Sequence, residues 1–302
     1  YGHGEPKLED LSQAKDNLEV LYKIEQVNMI DTVVDLSKYH TLALISPKDS
    51  IPSYHFDLLD EFLAEGKDIL VAIDRVEGDL SNATGQEITT GLETWLLGKG
   101  IEVQKNFIID ASCMPVSIMQ NRGEFQFASQ INFPYLPVIN NFADHPITEG
   151  LEMVLLEFAS SMTYIGDTSY AFTPIAYTSK KSGTKPCPTY FDVRHNWTEN
   201  DFPVSGLSVA ATLEGKLSGD KSSKIVVITD GNFPVGNSNN PRSRVHPDNV
   251  SLLVNAIDWL SDDTGLIALR TKGVTSRPLE QIEDGKKSFL KYLNFLLPIV
   301  LI

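Results

Sequence analysis

Cysteine is nearly absent from this sequence, with only Cys113 and Cys187 among 302 residues, and neither belongs to a CxxC or Cys/His spacing. That excludes a disulfide framework and a structural zinc site of the usual spacing. No strand-to-helix turn carries a G-x-S-x-G or G-x-C-x-G elbow, no G-x-G-x-x-G follows the first strand, and no P-loop is present. Basic residues are also in short supply, 25 against 40 acidic ones, for a net charge of -15. A surface this acidic repels phosphate backbones, which excludes nucleic acid as a natural partner.

What is present is an ordinary globular balance, 42% hydrophobic and 22% charged, in a chain long enough for one large α/β domain. The acidity is uneven. From Leu266 onward six basic residues (Arg270, Lys272, Arg277, Lys286, Lys287, Lys291) face three acidic ones (Glu280, Glu283, Asp284), so this stretch carries +3 and the body -18. The pattern predicts an acidic domain over residues 1–263 and a basic connector over 264–288. The apolar run FLKYLNFLLPIVLI, residues 289–302, is read as the start of a membrane-spanning helix in preference to a buried terminal helix or strand. Lysines ahead of that run leave the topology open under the positive-inside rule. The chain begins YGHGE with neither initiator Met nor signal peptide and is read as a piece of a longer protein.

Along the domain, helix and strand periods alternate. Ser12–Tyr22 has apolar residues at helical spacing, and IEQVNMI (residues 24–30) reads as a strand. TLALISP (41–47) and DILVAID (68–74) are continuous apolar runs expected of strands buried on both faces, flanking a helix with the stripe Phe56, Leu59, Phe62 and Leu63. A helix over 91–98 and the strand IEVQKNFIID (101–110) complete the series. After a β-rich segment, about 114–216, KIVVITD and the helix DNVSLLVNAIDWL return to the same pattern. The expected fold is a three-layer α/β/α domain on a mostly parallel sheet, with the β-rich segment added at its edge.

Ligands of such sheets meet the carboxyl ends of the strands, where His3, Glu5, Asp74, Asp110, Asp230 and Asn232 would gather as a candidate ligand-binding rim. Aspartates at strand ends also cap the following turn, and no metal or cofactor is assigned to them. Nucleophile candidates are thin: Cys113 lies beside Pro115, and Cys187 sits between two prolines. His145 and His246 each precede a proline, and His195 neighbours Trp197. No catalytic residue is assigned.

Several segments occur in a telling order: GHGE at 2–5, ALISP with its helix and GKDILVAID, KIVVITDGNF with DNVSLLVNAIDWL, then GLIALRTKGVTSRPL and NFLLPIVLI. This order resembles the GldG-like family of gliding-motility-associated ABC-transporter auxiliary proteins of Bacteroidetes. The resemblance implies a non-enzymatic, periplasmic domain held at the cytoplasmic membrane by terminal helices and paired with an ABC permease and its ATPase. It implies a flavodoxin-like or class I glutamine-amidotransferase-like fold, with kinship to the N-terminal domain of an intraflagellar transport protein. Asn232 stands where many relatives carry an acid. Self-association is left open, and the rival reading is a hydrolase or amidotransferase acting at the strand-end rim.

Overall fold

The computed structural model describes residues 1–30, 34–122, 125–236 and 244–262, together with Lys291. A 3-10 turn, Leu8–Leu11, leads into α1 (Ser12–Leu18); the described residues between it and β1 (Thr41–Ile45) form neither helix nor strand. The run IEQVNMI joins no strand ladder.

Helix α2 (Ser53–Ala64) buries His55, Leu59, Phe62 and Leu63, one face of a 3.6-residue period. It ends in a Schellman turn. Gly66 takes φ +79°, its N–H donates to the Leu63 carbonyl at 2.9 Å, and Lys67 N–H reaches Phe62 at 3.4 Å. The chain then enters β2 (Asp68–Ala72), whose five residues are all buried. Strands β3 (Val76–Asp79) and β4 (Thr84–Glu87) form an antiparallel hairpin, followed by α3 (Leu92–Gly98).

The expected single strand over 101–110 is two strands, β5 (Ile101–Val103) and β6 (Asn106–Asp110), in different sheets. The polar pair Gln104–Lys105 breaks the apolar alternation there, and Asn106 anchors the turn through Ser161 at 2.9 Å. Next come the long hairpin β7 (Cys113–Arg122) and β8 (Phe125–Ile139), then β9 (Asn141–Phe142), β10 (Val154–Leu155) and β11 (Met162–Tyr164). The remaining elements are β12 (Ala171–Tyr177), β13 (Ser182–Pro186), β14 (Thr189–Tyr190), β15 (Ser208–Gly215), β16 (Ser223–Ile228) and α4 (Pro247–Ser261). Pro247 opens α4 at a position where its missing N–H costs nothing, and His246 caps the helix by accepting from Asp248 N–H at 3.3 Å.

The main sheet runs β1-β2-β16-β15-β11-β5, with β12 on β15 and β9 on β12. Its parallel part is confined to β1, β2 and β16; the other pairs are antiparallel. A short turn joins β15 to β16, and so short a connection allows only antiparallel pairing. Smaller sheets, β10-β8-β7, β13-β6 and β14-β4-β3, complete the described strands.

Alternation along the strands sorts the core onto two faces. Leu70, Ala72, Val226 and Ile228 pack with Leu252, Leu253, Ala256 and Leu260 of α4. Ile69, Val71, Ile73, Ile225 and Val227 pack with Leu59, Phe62 and Leu63 of α2 and with Leu92 and Leu96 of α3. A third cluster is aromatic: Phe107, fully buried, meets Tyr135, Phe158 and Phe191 edge to face at centroid distances of 5.9, 6.1 and 5.6 Å. Among the described residues no helix is long and apolar enough to cross a membrane. The predicted connector and terminal apolar run lie outside the described residues, Lys291 apart.

Phe107 sits at the middle of this third cluster, and each edge-to-face pair adds to what its burial contributes. Phe107→Ala should cost about 3–5 kcal/mol of stability, seen as a lower urea midpoint in equilibrium unfolding.

Candidate functional site

Strands β1, β2 and β16 end side by side, and the polar residues that follow them meet. Asp74, only 4% exposed, receives four donors: Ser46 Oγ at 2.7 Å, Lys48 Nζ at 2.6 Å, Gly231 N–H at 2.7 Å and Asn232 Nδ2 at 3.0 Å. Ser46 sits at φ +49°, a left-handed conformation uncommon outside glycine, and its hydroxyl also reaches Asn232 Oδ1 at 3.1 Å. Gly231 is required by close approach, because a Cβ there would lie 2.6 Å from Asp74 Oδ2 and 2.7 Å from the Ser46 Cα.

Asp230 is fully buried, and its carboxylate accepts from Asn232 N–H at 2.8 Å and Glu157 N–H at 2.6 Å. Burial, followed by the negative charge of Asp74, pushes its carboxyl well above the usual range. The rim of Asp74, Asp230 and Asn232 is thus real as a cluster, but its acceptors are engaged internally.

His3 and Glu5 form a second group beside the first. The His3 carbonyl accepts from the N–H groups of Lys48 and Asp49, both at 2.8 Å, which binds the chain start to the end of β1. Glu5 Oε2 accepts from Gly2 N–H at 2.9 Å and His3 N–H at 2.6 Å, and Glu5 Oε1 lies 3.0 Å from His3 Nδ1. Burial acts to raise the Glu5 carboxyl, yet its hydrogen bonds hold it below the ordinary value. His3 Nε2 continues the line to His55 Nδ1 at 2.8 Å. With Glu5 ionised and His3 neutral, the line has one polarity: His3 donates through Nδ1–H, His55 donates through Nδ1–H to His3 Nε2, and the His55 Nε2 lone pair is left over.

His55 is 1% exposed, and its Nε2 has no hydrogen-bond partner among the described residues. Burial, and then repulsion from His3 whenever that ring is protonated, lower its pKa against the nearby Met29 carbonyl and Glu5, which favours the neutral ring. Both imidazoles and Glu5 line a cavity of about 780 Å³ that runs along β1, with Thr41–Ile45 as one wall. Nothing in sequence spacing joins His55 to His3. The available signal was that His55 occupies an apolar position of the α2 stripe, at i−4 from Leu59.

Asp110 does not join either group. It caps the turn after β6, accepting from Ser112 N–H at 2.8 Å, Ser179 N–H at 2.7 Å and Ser179 Oγ at 2.6 Å. Cys113 lies in β7, where burial, aided by the charge of Asp110, pushes its thiol up and makes it a poor nucleophile. Burial does the same to Cys187. Among the described residues no group of three His, Cys, Asp or Glu side chains is arranged to hold a metal ion.

The raised Asp230 carboxyl has a measurable consequence. A carboxyl whose folded pKa exceeds its unfolded one contributes stability that is present at acid pH and lost as pH rises through the folded value. Relative to Asp230→Asn, which does not titrate, the wild type should lose stability steadily from about pH 4 upward in urea unfolding. A difference independent of pH would show that Asp230 is ionised in the native state throughout.

Comparison with known proteins agrees with this architecture. A solved structure described as the mmIFT52 N-terminal domain superposes with a TM-score of 0.55 at 14% identity, over 84% of this chain and 92% of that one. At that identity the likeness shows a shared fold and nothing of function. No curated protein matches the sequence. The family model described as "ABC-type uncharacterized transport system" matches residues 1–256, so the chain belongs to this family of auxiliary components of ABC-type transport systems.

Proposed function

We propose that this domain is a non-enzymatic subunit that binds an ABC permease and its ATPase from the extracytoplasmic side of the membrane, in a system serving gliding motility or envelope export. The family match over residues 1–256 carries the transport assignment. The internal engagement of the rim supports the non-enzymatic part. Asp74 is tied to Lys48 by an ion pair of 2.6 Å and to three further donors, and Asp230 is held by two backbone N–H groups. A general base needs a free acceptor within reach of its substrate, and a nucleophile needs an activating partner. At the rim the polar atoms instead tie three strand ends together, which suits a rigid body that docks on other subunits.

Detergent extraction of the full-length protein from its own membranes, followed by affinity purification and mass spectrometry, tests this. A permease and an ATPase of the ABC type should co-purify in near-equal amounts. Recovery of the protein without transporter subunits across several mild detergents would overturn the reading.

A further inference from the structure

We propose that the cavity beside β1 is a binding site for an uncharged single-chain amphiphile whose head donates hydrogen bonds, through a hydroxyl or an amide N–H. The volume, about 780 Å³, lies within the roughly 300–1,000 Å³ usual for small-molecule sites. Its walls come from the first 29 residues, residues 36–40, β1, Ile51, His55 and Leu59 of α2, and Leu253, Ile257 and Ser261 of α4. Fourteen of its 32 lining residues are leucine, isoleucine or valine, which suits a hydrocarbon body.

The polar end is equally specific. The line Glu5–His3–His55, with steps of 3.0 and 2.8 Å, delivers a buried acceptor, His55 Nε2, to the cavity wall without a partner of its own. A buried acceptor without a partner is costly to maintain, and a ligand donor would satisfy it. The edge strand adds more polar groups. Ser46 N–H donates to Ala72 on β2, so by alternation the main-chain groups of Ala43 and Ile45 face away from β2.

Charge selects a neutral head. The Glu5 carboxylate behind the histidines repels an anion. Lysines at the flank are already taken: Lys23 and Lys38 both pair with Glu25, at 2.5 and 2.8 Å, and Lys15 pairs with Glu19 at 3.5 Å. Two lysines on one carboxylate leave a single positive charge at the flank, and Lys23 and Lys38 stand 86% and 59% exposed, where solvent screens it. The inference rests on the cavity and not on the transporter assignment.

Calorimetric titration of the full chain with three probes of equal acyl length, below their aggregation thresholds, tests it. 1-Monolauroylglycerol carries hydroxyl donors, methyl laurate carries none, and laurate is an anion. Monolauroylglycerol should bind one to one and about tenfold more tightly than methyl laurate, one good hydrogen bond's worth of affinity. His55→Leu should abolish that preference while leaving methyl laurate binding in place. The wild-type comparison decides the matter alone if the variant does not fold. No saturable binding, equal affinity for the two neutral probes, or laurate binding as tightly as monolauroylglycerol would each overturn the proposal. Slow hydrogen exchange at Ala43 and Ile45 in the ligand-free chain would do so as well, because it would mean that an extended segment already occupies that edge. Failure here leaves co-purification with a transporter unaffected.

Discussion

Asp74 lies just beyond β2, the middle one of the three parallel strands, at a place water barely reaches, and a carboxylate there must be supplied with donors or neutralised. Four donors converge on it, from the residue after β1, the turn beyond that, and the two residues that follow Asp230 after β16. The three parallel strands are thereby clamped at one end. Much else depends on this knot: the left-handed Ser46, the glycine at 231 and the buried Asp230 beside it. The clamp fixes where β1 ends, and hence where the Lys48–Asp49 turn presents its N–H groups to His3.

The rim and the cavity are chemically opposite, although they share this turn. At the rim the acids exchange hydrogen bonds with neighbouring strand ends and are satisfied. At the cavity a similar chain of polar groups, Glu5 to His3 to His55, stops one partner short. Burial with complete bonding gives rigidity, and burial with an acceptor left over gives a place for something to bind. The first fits a body that docks on other subunits. The second fits recognition of a small molecule.

Much of the parallel core was legible in the residue order. DILVA announces a strand buried on both faces and is one, because both of its neighbours and helices on both sides cover it. Helices α2 and α4 follow from their apolar periods, and Gly66 and Pro247 mark their ends. Of the six rim residues expected together, Asp74, Asp230 and Asn232 meet, His3 and Glu5 form the adjoining relay, and Asp110 caps a turn of a different sheet. Asp110 was misplaced because residues 101–110 looked like one strand, and a polar dipeptide was too slight a signal of the break.

Local order therefore determined helices α2 and α4, the strands of the parallel core and the acids at their ends, since these follow from period and capping chemistry between near neighbours, whereas it misread residues 24–30 and the break within 101–110. Pairing direction, the division into separate sheets and the meeting of His3 with His55 across 52 positions were decided by tertiary structure alone. Such contacts depend on how the layers stack, and His55 in sequence is only one polar residue in an apolar stripe. Burial at that place, and nothing about its neighbours in the chain, leaves its ring nitrogen facing a cavity without a partner.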